Sequence, residues 1–177
     1  MAGPEPDRAG LIARCPVRAL FRKLRSGFRQ PAFVLLWLLP VWGLLNLCRL
    51  LIAVLSFRRL AGMLGRAQGS HACIPLADLA QQARATKIRQ VVKLAARLVP
   101  WGVNCYPQAL VACLLMEAYR VPHCLCFGAA RSAQNGAFAA HAWTAAGPVR
   151  VTGGESFRHY AVLACFVSLP GRDARMS

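Results

Sequence analysis

The chain changes its hydrophobic rhythm twice. Across residues 11–29, Leu20, Phe21, Leu24 and Phe28 recur at helical spacing among Arg14, Arg18, Arg22, Lys23, Arg25 and Arg29. That pattern predicts a basic amphipathic helix, whose polar side is either a solvated face or a membrane-surface contact. Residues 32–57 are almost wholly apolar, with no charge between residues 31 and 48. A bilayer span needs about 20 mostly apolar residues, but Arg49, Pro40 and Gly43 interrupt the run. It therefore reads either as a buried hydrophobic helix or hairpin, or as a membrane-embedded or membrane-associated segment. Residues 58–75, with three glycines and several arginines, read as a linker.

The next stretch is helical. Leu79, Ala83, Ile88, Val91, Val92, Ala95 and Leu98 predict one face of a helix over 76–98, with Arg84, Lys87, Arg89, Lys93 and Arg97 largely elsewhere. Pro100 ends it. A second helix is predicted over 105–119, with Asn104 placed as its cap and Pro107 tolerated in its first turn. Beyond Pro122 the period becomes two. Strands are expected over 123–130, 137–146, 149–152 and 160–168, with a loop at 131–136 and a Gly147-Pro148 turn. Helices first and then an antiparallel meander make an α+β arrangement. Three parts are expected: a basic, hydrophobic helical extension over 1–66, a domain over 67–170 and a tail over 171–177.

The net charge of +16 sharpens this division. Residues 1–100 hold 16 Lys/Arg and 3 acids, whereas residues 101–177 hold 6 and 3. The basic half suits an acidic partner or an anionic membrane surface. Nucleic acid is not expected, because no binding module and no aromatic-basic interleaving accompany the charge. The first ten residues are polar, so no signal peptide is expected and the localisation reads as cytoplasmic, with membrane association through 32–57 as the open addition. In that compartment the eight cysteines are thiols rather than a disulfide framework. Cys124 and Cys126 share a strand face, but without CxxC spacing or paired histidines they read as packing, and no metal is expected.

Two segments carry candidate chemistry: WGVNCYPQAL with Cys105, and GAFAAHAW with His141. A thiol at a helix start sits where unpaired N–H groups favour the thiolate and can hold an oxyanion. The N–H of Cys105 itself is the expected oxyanion donor. An imidazole on a strand directed at that helix start could take the thiol proton and return it to a leaving amine. Small neighbours at Ala139, Ala140 and Ala142 leave room, and Trp143 shares the face of His141. His71, His123 and His159 are expected to be structural or solvent-facing.

Trp101, Asn104-Cys105, Ala109-Leu110, Val121-Pro122 and Ala140-His141-Ala142-Trp143 together resemble the transglutaminase-like cysteine proteases. More closely they resemble the lasso-peptide maturation proteases, which remove the leader from a ribosomally made precursor. The likeness runs over about 30–165 and includes FRRLAGMLGR and the basic helix before Trp101. It implies a transglutaminase/papain-like core in which the Cys-bearing helix packs on an antiparallel sheet. It places the nucleophile on Cys105 and the general base on His141. The family's ring-orienting aspartate falls on Gly153, leaving Glu155 as the nearest acid, with Thr152 or a backbone carbonyl as other candidates. No cofactor is implied in the site. The implied partners are the precursor, a separate leader-recognition protein and an asparagine-synthetase-like cyclase that uses ATP. An inactive membrane-associated peptide-binding adaptor and a transglutaminase-type acyl transferase are the alternatives.

Overall fold

The computed structural model describes residues 32–54, 66–131, 137–154 and 159–170. The basic stretch 11–29, most of FRRLAGMLGR, Glu155 and the 171–177 tail lie outside them. The described elements are α1 (Ala32–Val54), β1 (Arg66–Ala67), α2 (Leu79–Leu98), α3 (Cys105–Ala118), β2 (His123–Arg131), β3 (Phe138–Ala146), β4 (Val149–Arg150) and β5 (Ala161–Ser168). The strands form one antiparallel sheet in the order β1-β5-β2-β3-β4, with the helices packed against it.

The α+β class is as expected, but the sheet is not a plain meander. After β4 the chain crosses back so that β5 pairs with the other side of β2. Two residues from the expected linker then add β1 outside β5. That strand is too short to show an alternation. It is held by Gln68 N–H donating to Cys165 O and Cys165 N–H donating to Gly69 O, each at 2.8 Å.

Helix α1 is one continuous helix that packs along a single stripe. Val34, Val41, Leu45 and Cys48 form one buried stripe and join the core shared by α2 and α3. Phe33 and Trp37 lie against Tyr119 just beyond the end of α3, with ring centroids 5.3 and 5.8 Å away. At the opposite end of α1, Arg49 donates to Gly102 O at 3.0 Å and Trp101 O at 3.4 Å, the turn before α3 begins. The charge that interrupts the apolar run is therefore a brace on two carbonyls of that turn. The other side of α1 remains apolar and outward, with Leu36 74% and Leu39 76% exposed. By length and composition residues 32–52 could cross a membrane.

Helix α2 starts three residues later than the pattern implies, because Asp78 makes a capping box. Its carboxylate accepts from Gln81 N–H at 2.7 Å, and Gln81 Oε1 accepts from Asp78 N–H at 2.9 Å. The start and phase bury Ala85, Ile88, Val91, Val92 and Ala95. Leu79, Ala83 and Leu98, expected on that face, are exposed.

Strand alternation gives the sheet two different faces. Leu125, Phe127, Ala142, Ala146, Ala164 and Phe166 join the large helix-covered core. Cys124, Cys126, Trp143, Ala145 and Cys165 form a separate, smaller cluster with Tyr160, Val162 and Val167.

Candidate active site

Cys105 is the first residue of α3 and is half-buried against the helix-side core. The turn leading to it is tightly held. Gly102 adopts φ +68°, its N–H donates to Val99 O at 3.2 Å, and Gln108 Nε2 donates to Val103 O at 2.9 Å. In the first turn, Tyr106 meets Phe127 edge-on at 5.3 Å, and Phe127 meets Phe166 at 6.1 Å, which ties the helix start to β2 and β5.

Asn104 occupies the cap position, but its side chain makes no cap hydrogen bond, contrary to expectation. The reason lies in Pro107: it stands at the third helical position, where a capping side chain commonly finds an N–H, and proline has none. The helix start thus keeps its macrodipole without a side-chain oxygen laid over it. Two turns along the same helix, burial pushes the Cys113 thiol up, out of the range of a nucleophile.

His141 lies opposite Gly128 in the β2–β3 ladder. Alternation sends its side chain to the Trp143 face rather than to the face that α3 covers, which corrects the simple picture of an imidazole aimed straight down at the helix start. The ring stacks with Trp143 at 5.9 Å and sits 4.9 Å from the Tyr160 ring. Gly128 makes this possible. A Cβ there would stand 2.8 Å from Trp143 Cη2 and 2.8 Å from Ala161 O.

The imidazole reaches the sheet edge, where its Nε2 is 3.0 Å from Gly153 O. A carbonyl only accepts, so this bond requires the proton on Nε2 and makes Nδ1 the basic nitrogen of the neutral ring. The sequence left three candidates for holding the ring, and among the described residues the backbone carbonyl does so. Thr152 has another role. Its hydroxyl accepts from Thr144 N–H at 3.2 Å and lies 2.9 Å from Thr144 Oγ1, while Val151 N–H donates to Thr144 O. These contacts pin residues 151–153 along β3 and deliver the Gly153 carbonyl.

Gly153 cannot be exchanged for the aspartate the resemblance places there. Its φ is +86°, and a Cβ would fall 2.3 Å from Trp143 Cβ and 3.2 Å from His141 Nε2. Glu155 lies outside the described residues.

The same segment lines a cleft of about 160 Å³ beside the site. Gly153 and Gly154 form part of its wall, Gln108 enters from the first turns of α3, and Arg89, Lys93 and Arg150 supply positive charge. Sequence reasoning missed Tyr160 and this cationic wall, because neither has a local signature. Of the other histidines, His123 is buried and its Nδ1–H donates to Val121 O at 2.9 Å.

A helix-borne cysteine on an antiparallel sheet, with a strand histidine oriented through its far nitrogen, defines a papain-like or transglutaminase-like thiol fold. The family described as Transglutaminase-like superfamily matches residues 50–165, and the chain belongs to that superfamily. No curated protein and no solved structure shows significant similarity to it.

Proposed function

We propose that this chain is a cysteine peptidase that removes the leader from a ribosomally synthesised lasso-peptide precursor. The superfamily is consistent with a cysteine peptidase or an acyl transferase. The observation that carries the peptidase reading is the His141 Nε2–Gly153 O bond. It sets the tautomer that a thiol–imidazole pair requires, at the sequence position where the related proteases hold the ring with a carboxylate.

This reading requires the two side chains to meet around the sheet edge at residues 151–154; Cys105 then gives its proton to His141 Nδ1 and the thiolate attacks the carbonyl at the leader–core junction. The Cys105 N–H and the start of α3 stabilise the oxyanion. His141 then returns the proton to the leaving amine, and the acyl-enzyme is opened by a water that His141 deprotonates. A neutral carbonyl stabilises the transient imidazolium less than a carboxylate would, and in this reading Glu155 is the acid placed to add that charge. The cationic cleft beside Gly153 suits an acidic stretch of leader. The partners in this reading are the precursor, a separate leader-recognition protein and the ATP-using cyclase. The protein acts in the cytoplasm, with the exposed apolar side of α1 against the membrane surface.

Two observations favour one second reading, an inactive peptide-binding adaptor of the same fold: the glycine in place of the carboxylate, and the uncovered apolar side of α1. One experiment separates these readings. Wild type and Cys105→Ala are incubated with the precursor and its recognition protein, and peptide masses are followed. Leader release by wild type, with at least about a thousandfold loss in Cys105→Ala, supports the peptidase. Binding without cleavage by both proteins supports the adaptor. An amine-coupled product points to acyl transfer.

A further inference from the structure

The thiols of Cys124, Cys126 and Cys165 lie within 4.8 Å of one another and are all buried, on the sheet face that the helices do not cover. We infer that this trio is a binding site for a thiophilic divalent cation, with zinc(II) as the probe, placed behind His141 and distinct from the catalytic pair. The inference stands whether or not the peptidase reading does.

The argument begins with register. Cys126 lies directly opposite Cys165, and Cys124 lies opposite Val167, so Cys124 is diagonal to Cys165. The backbone N–H and C=O of Cys165 both bond toward Gly69 and Gln68, on the β1 side. The Cys126–Cys165 pair is therefore a non-hydrogen-bonded one, the kind that brings opposite side chains closest. Their sulfurs stand 3.0 Å apart. Residues two apart on one strand share a face, which adds the third sulfur. Zinc–sulfur bonds of about 2.3 Å put tetrahedral thiolates about 3.8 Å apart, inside the 4.8 Å that encloses all three sulfurs.

A disulfide between Cys126 and Cys165 would use two of these sulfurs and leave Cys124 idle beside them. One cation would use all three. Three buried sulfurs with no imidazole or carboxylate among them select a soft ion over magnesium or calcium. Cys73 is the candidate fourth ligand, because its carbonyl lies 3.8 Å from Cys165 Sγ and its side chain is exposed at the margin. Binding converts three thiols to thiolates and releases three protons, so it tightens as pH rises. The resulting excess negative charge faces Arg66, which lies opposite Val167 on the same side of the sheet.

The test is metal analysis of the full chain, purified under reducing conditions from zinc-supplemented medium. About one zinc per chain is expected in wild type and in Cys105→Ala. Less than about a tenth is expected in Cys126→Ser and in Cys165→Ser. Cys73→Ser keeps the ion but loses it to a weaker chelator than wild type requires. Should the serine variants fail to fold, cobalt(II) titration of the reduced wild type remains decisive: a thiolate-to-cobalt charge-transfer band of three-thiolate intensity supports the site. Folded, reduced wild type that takes up neither zinc nor cobalt overturns it. So does a wild-type mass lower by two hydrogens whose peptide map joins Cys126 to Cys165 while the chain stays metal-free.

Discussion

On the helix-covered side of the sheet, Leu125, Phe127 and Phe166 meet Val91, Leu110 and Val111 in one continuous apolar cluster. On the other side a smaller group holds three cysteines, and its Trp143 and Tyr160 flank an imidazole. The first face derives stability from area, at roughly 25 cal/mol per Å² of apolar surface removed from water. The second holds particular atoms in place: a ring, a carbonyl and three sulfurs. Cys105 belongs to the first face and His141 to the second, and the segment 151–154 at the β4 edge lies against both. A mutation on the helix side should therefore lower stability first, and one at the edge should change chemistry and stability together.

Gly153→Asp tests the edge with the largest expected effect. If the glycine were merely a decayed aspartate, restoring the carboxylate would raise turnover. The geometry argues the opposite, since the new Cβ would overlap Trp143 Cβ and the backbone sits at φ +86°. Strain and overpacking together should lower stability by about 4 kcal/mol, with loss of turnover, measured by denaturant unfolding and by the cleavage assay. A Gly153→Asp protein that is stable and faster would show that the carbonyl is not the built-in orienter. Gly128→Ala is the milder companion, displacing Trp143 from the opposite strand.

Much of this arrangement is legible in the chain, and the remainder fails for identifiable reasons. Helices α2 and α3 and the three longer strands follow from period and punctuation: Pro100, Pro122 and Gly147 fall at the expected breaks. Cys105 at a helix start and Trp143 sharing a face with His141 are likewise local facts. The return of β5 to β2 is not local, so the meeting of Cys165 with Cys124 and Cys126 could not be read from spacing. The Gly153 carbonyl carries no side-chain signature at all. Whether α1 packs or inserts depends on whether α2 and α3 offer it a complementary groove, which hydropathy alone does not encode.

The helix-side face can be probed through α1, where the two sides of one helix should part company. Leu45 is fully buried, so Leu45→Ala should cost about 3 kcal/mol with little change in catalytic rate for the fraction that remains folded. Leu36 is 74% exposed, so Leu36→Ser should change stability by less than about 0.5 kcal/mol while reducing binding to anionic vesicles. Equal stability losses would mean that α1 is seated differently.

Acid should loosen the same face through His123. Desolvation by burial holds its ring below the ordinary value of 6.5, against the opposing pull of Val121 O and of Glu117, whose carboxylate is 3.9 Å away and also accepts from Ser168. The folded-state pKa is depressed, so the unfolded chain binds the proton first. The contribution of His123 is fully present above about pH 6.5 and is lost as pH falls through the lower folded value. Unfolding free energy should decline below pH 6.5 with a slope of at most about 1.4 kcal/mol per pH unit from this residue. His123→Gln should flatten that limb; an unchanged slope would assign the acid sensitivity elsewhere.

The smallest expected effect separates the scaffold from the cleft it supports. Asp78 caps α2 far from the site, and Arg89 and Lys93 lie about three to four turns further along the helix. The start of the helix is also held independently, by Gln82 Nε2 donating to Ala77 O and by Gly147 N–H donating to Pro75 O. Asp78→Ala removes one side-chain acceptor and half of a reciprocal pair, which should cost about 1 kcal/mol, while Asp78→Asn keeps the acceptor and should cost only a few tenths. Neither should alter KM for the precursor, because the buried stripe from Ala85 to Ala95 fixes the helix where the cationic wall begins. A rise in KM for Asp78→Ala without a matching loss of stability would mean that the first turn of α2 moves the cleft, and that the helix-covered face takes a direct part in substrate binding.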